Sequence, residues 1–106
     1  MSAGTGKTIL AGAALRALRH WLFELGHENA TIASGPEGLS DVYHLLDVGR
    51  LVQVRTAIAP CYPEGLSRGE IRVLRRIARR LGANAWEAQI IVRPNFQASA
   101  ILWRNA

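Results

Sequence analysis

Five arginines recur at helical spacing in the second half of this 106-residue chain: Arg72, Arg75, Arg76, Arg79 and Arg80. At about 100° per residue they all lie opposite an apolar stripe formed by Ile71, Leu74, Ile77, Ala78 and Leu81. A guanidinium can grip two phosphate oxygens at once, so such a face suits a nucleic-acid backbone. A solvated helix surface is the competing reading, because long basic side chains are good helix formers. Lys7, Arg16, Arg19, Arg55 and Arg93, together with a net charge of +5, tip the balance towards phosphate binding. Nothing resembles a base-reading helix, so little sequence preference is expected.

A second chemical candidate is the stretch SAGTGKT, Ser2 to Thr8. Gly6-Lys7-Thr8 matches the end of the phosphate-loop motif, but Met1 stands where its first glycine belongs. The strand that would aim such a loop is also missing, and Asp47 is a weak candidate for the acidic strand end that holds magnesium. The stretch is expected to lead into a helix and not to bind ATP. The histidines His20, His27 and His44 have no metal-ligand spacing. Cys61 is the single cysteine, so no internal disulfide and no cysteine-based zinc site can form, and a cytoplasmic setting is the simplest reading. No apolar run approaches the roughly 20 residues of a membrane span, and the N-terminus lacks a signal-peptide layout.

The elements that would carry these residues follow from periodicity. Leu10, Ala14, Leu18, Trp21 and Leu25 predict a helix over Thr8 to Leu25, with Gly26 as its left-handed cap. A short strand is expected at Ala30 to Ala33, a loop at Ser34 to Gly38, and a strand at Asp41 to Asp47. Arg50 to Ile58 is rich in β-branched residues and reads as a strand. Ser67 with Glu70 three residues later forms a capping box opening a helix that Gly82 stops. Trp86 to Arg93 and Ser99 to Arg104 close the chain as strands. The three tryptophans, Trp21, Trp86 and Trp103, fall on apolar positions or strand ends and are expected in the core or an interface. The order α-β-β-β-α-β-β predicts one α/β domain over residues 1–106, with a mixed central sheet flanked by helices.

The middle of the chain, ASGPEGLSDVYHLLDVGRLVQVRT, resembles the archaeal-type Holliday-junction resolvases of the PD-(D/E)xK nuclease superfamily. The likeness rests on a Ser-Gly loop, an Asp opening a strand, a turn, and a strand with a polar–apolar–polar triplet, followed by a capped helix. It covers about Ala11 to Arg104 and implies a restriction-endonuclease-like fold. It also implies that Asp41 holds a divalent metal, that Gln53-Val54-Arg55 stands where the family has Glu-x-Lys, and that Ser34 matches the loop serine. The family's helix carboxylate has no counterpart between Leu10 and Leu18.

Those departures change the chemistry. Magnesium wants anionic oxygen ligands, and Gln53 supplies only a carbonyl. Arg55 keeps a positive charge but cannot give up a proton. Glu37 in the neighbouring loop, or an Asp from elsewhere, could restore a ligand beside Asp41. An ordinary exposed strand face is the bland alternative for Gln53 and Arg55. The expectation is a protein that binds branched or duplex DNA on a nuclease fold with a degraded metal site, a pseudo-enzyme. A working magnesium-dependent endonuclease is the first alternative, and a protein-binding regulatory module the second. The resemblance further implies a homodimer.

Overall fold

The apolar positions of the chain sort onto two faces of one sheet, and each face takes one helix. The computed structural model describes residues 3–35 and 41–106, with backbone only at 3–8 and 99. Helix α1 runs Ala3–Glu24, followed by strands β1 (Ile32–Ser34), β2 (Val42–Leu45) and β3 (Arg50–Ile58). Helix α2 (Arg68–Leu81) then leads into β4 (Asn84–Val92) and β5 (Ala98–Asn105). The sheet order is β1-β2-β3-β4-β5. β3 and β4 are parallel, because α2 forms the crossover between them, and every other pair is antiparallel. The expected mixed sheet flanked by helices is therefore the architecture observed.

α1 packs on one face through Ala13, Ala14, Leu18 and Leu22, against Val52, Val54, Ala88, Ile90 and Val92. The small alanines let the helix backbone sit close to the sheet. α2 covers part of the other face with Leu74 and Ala78 against Val42 and Leu51. Alternation along β3 explains the split, since successive side chains point to opposite faces. The α2 capping box is complete: Glu70 donates its amide to the Ser67 hydroxyl, and Ser67 donates its amide to the Glu70 carboxylate. Gly82, at φ +68°, ends the helix in the left-handed region that disfavours side chains.

Element boundaries move by one to a few residues from expectation, and Ser34 joins β1 while Asp41 falls just before β2; three shifts bear on the candidate sites. α1 begins at Ala3, so Gly4 to Thr8 lie within a helix and not in a loop. β2 stops at Leu45, and Leu46–Val48 form a 3₁₀ turn closed by Gly49 at φ +64°. The cause is long-range: the Asp47 carboxylate accepts from the Thr31 amide at 3.0 Å, which draws this segment out of the ladder and onto the approach to β1. β4 starts two residues before Trp86, at Asn84, whose amide donates to Gly49. Among the described residues no helix is long and apolar enough to cross a membrane.

Candidate nucleic-acid interface

α2 presents its arginines outward. Arg72, Arg75, Arg76, Arg79 and Arg80 are all exposed. Together with Arg68 and Ile71, the first four line an open groove of about 630 Å³. Arg68, Arg72, Arg75 and Arg79 recur at spacings of four, three and four, which stacks them along one side of the helix over about 16 Å. Among the described residues none of these guanidiniums is ion-paired; the pairs present are His20 with Glu24 and Arg55 with Glu70. Free cations in a row can take phosphates without first breaking an internal bond. Arg68 belongs to this row, yet the sequence reading omitted it. Its spacing of four from Arg72 was the available signal, hidden by its place just after the Ser67 cap.

Gln53 and Arg55 face the first turn of α2, and their neighbours form a polar layer between the sheet and residues 64–70. Arg55 donates through Nη2 to Glu70 Oε2, and Gln53 donates through Nε2 to the same oxygen at 3.2 Å. The Arg55 Nε is buried with no acceptor. The Ser67 amide, more than any other contact, holds the Glu70 carboxyl below its ordinary pKa; Arg55 adds to this and partial burial opposes it. Next to Gln53 in the parallel register stands Glu87, only 4 % exposed. Its Oε2 accepts from the Leu66 amide at 3.1 Å and from Gln89 Nε2 at 2.9 Å. Glu87 in turn pairs across the ladder with Arg104. The segment before α2 covers this row: a side chain at Gly65 would lie 3.6–3.7 Å from Glu87, Arg104 and Gln89.

Asp41 lies in the turn just before β2, rather than within the strand expected there, at φ +63° and exposed, with its carbonyl accepting from the Val54 amide at 2.8 Å. Its charge is felt by Tyr43, whose hydroxyl is held above its ordinary pKa by burial first and by Asp41 second. Tyr43 packs against the α1-side core, on the opposite face from Gln53 and Arg55. Among the described residues no hydrogen bond or ion pair joins the Asp41 carboxylate to the side chains of Gln53 or Arg55. Ser34 lies in β1 opposite Tyr43. Glu37 lies outside the described residues. Among the described residues no three acidic, histidine or cysteine side chains come together to hold a metal. The donors around Glu70 and Glu87 are amides and a guanidinium, which satisfy those carboxylates internally. The described residues therefore do not fit the magnesium site that the resemblance implies.

The opposite face carries a feature invisible in the sequence. Arg50 at the start of β3 sits among all three tryptophans, its guanidinium carbon 3.8 Å from the Trp86 ring centre and 4.9 Å from those of Trp21 and Trp103. Trp21 and Trp103 are themselves 4.6 Å apart. Burial lowers the Arg50 pKa, and the ring faces offset part of its lost hydration. Comparison of the chain with protein-family models, with curated proteins and with solved structures found no match.

Proposed function

We propose that this chain binds nucleic acid through the outer face of α2, gripping the phosphate backbone of branched or duplex DNA in the cytoplasm. One observation carries the reading: Arg68, Arg72, Arg75, Arg76 and Arg79 share one open groove without a carboxylate partner among the described residues. Long cations held in a row by a capped helix, on a chain of net charge +5, are what a polyanionic backbone selects. The order of elements and the parallel β3–β4 pair are in keeping with a resolvase-like nuclease fold. In this reading the fold has kept its surface and lost its cutting chemistry, because Gln53 and Arg55 are spent on Glu70.

The test is a titration of labelled duplex and four-way junction over a range of salt. Binding with a steep salt slope, reduced when Arg72, Arg75 and Arg79 become Ala, supports the proposal. No binding at low salt overturns it, and metal-dependent cleavage of the junction favours the endonuclease instead.

A further inference from the structure

The two edges of the sheet are unlike. β1 at one edge has three residues, too short to template another strand. β5 at the other has eight, Ala98–Asn105. The β4–β5 register slips at Ser99, leaving Ala100–Asn105 as a regular stretch. Along that stretch the outward N–H and C=O groups are unpaired with any strand among the described residues. Natural edges of this length are blunted by proline, lysine or an inward charge. Here the stretch reads AILWRN, with one charge near its end. Leu102 is 47 % exposed. Beside the same edge, Ala17, Trp21, Ile101 and Trp103 help line a groove of about 840 Å³ between α1 and β5.

We infer that β5 pairs antiparallel with β5 of a second copy, joining two five-stranded sheets into one of ten strands. A second copy is the occupant because this edge is self-complementary. Reversed about Leu102, Leu102 meets its own copy and Ile101 meets Trp103, each pair on one face of the sheet, and the two Arg104 residues stand about 14 Å apart at 3.4 Å per residue. The contact is isologous and closes after two copies, while the short β1 offers no surface on which the sheet could grow further. The two-fold axis is perpendicular to the sheet, so both α2 helices fall on one face and both α1 helices on the other. One consequence rests on the proposed function: the dimer presents two arginine rows to the same nucleic acid. The pairing itself needs no nucleic acid.

Light scattering on the purified full chain without DNA tests it. The expected mass is twice 11.6 kDa, falling to 11.6 kDa in Leu102→Lys and in Ala100→Lys, with Leu81→Lys, an exposed site on α2, unchanged. A monomeric natural protein, a dimer that survives both edge lysines, or open-ended growth overturns the inference. Should the edge variants fail to fold, hydrogen exchange of the natural protein decides. Slow exchange at every β5 amide from Ala100 to Asn105 supports pairing, and fast exchange at alternate amides refutes it. A dimer that binds no DNA leaves the pairing standing and removes only the proposed function.

Discussion

Arg55 on β3 and Glu70 in the first turn of α2 are ion-paired, and Gln53 donates to the same carboxylate oxygen. One acid thus ties the helix start to the strand while also closing its capping box. Glu70→Gln keeps the reciprocal cap but loses the charge, and should cost about 1 kcal/mol; Glu70→Ala loses both and should cost roughly 2–3 kcal/mol. Because the folded carboxyl is held below its ordinary value of 4.5, its contribution is present above that pH and lost as pH falls through the lower folded value. Thermal melts across acid pH should show this loss in the natural protein and not in Glu70→Gln.

Phosphate contacts from α2 should add up in the salt dependence. Each Arg→Ala among Arg68, Arg72, Arg75 and Arg79 should lower the slope of log affinity against log salt by about 0.9. Arg16→Ala, on α1 across the sheet, should leave it unchanged. Equal effects from both helices would mean that charge alone, not the groove, drives binding.

Arg50 is held by three indoles, so Arg50→Met should destabilise the fold by about 1–2 kcal/mol, and Arg50→Lys by less. Circular-dichroism melts measure the difference. An unchanged melting temperature in Arg50→Met would show the cation contributes nothing to stability.

Introducing the missing carboxylate should not revive a metal site. Gln53→Glu sets a second negative charge beside Glu70 in place of a 3.2 Å hydrogen bond, at a cost of about 1 kcal/mol. With no hydrogen bond or ion pair linking the Asp41 carboxylate to Gln53 or Glu70 among the described residues, manganese should raise the melting temperature of neither the natural protein nor the variant. Stabilisation by manganese, accompanied by junction cleavage that Asp41→Ala abolishes, would argue for the endonuclease.

ATP with magnesium should also leave the melting temperature unchanged, because Gly4 to Thr8 run in α1 and present no loop of amides. A bound ligand at a hundred times its dissociation constant would add about 2.7 kcal/mol, which a melt would detect.

Much of the frame could be read from the residues. Ser67, Glu70 and Gly82 bracket α2 because capping is a local interaction between near neighbours. The β-branched residues of Arg50 to Ile58 marked β3 because their stiff side chains suit a pleated strand whatever lies around it. What could not be read was long-range. Asp47 ends β2 early by reaching Thr31, sixteen residues back. Glu87 carries no local sign of burial, and the segment at Gly65, far away in sequence, lies over it. The Asp41 and Gln53–Arg55 motif was legible as letters. The engagement of Gln53 and Arg55 by Glu70 was not, since that depends on where α2 begins.

The collection of every tryptophan around Arg50 makes the protein's own emission a probe of a single locus. The indoles sit on the α1 side, and the arginine row projects from α2 on the other. Intrinsic fluorescence is therefore blind to events at the groove unless the sheet itself shifts. A DNA titration that changes the anisotropy of labelled DNA while leaving the indole spectrum flat would mark a rigid platform. A spectral shift in step with binding would instead mean that contact on one side is transmitted through the strands to the other.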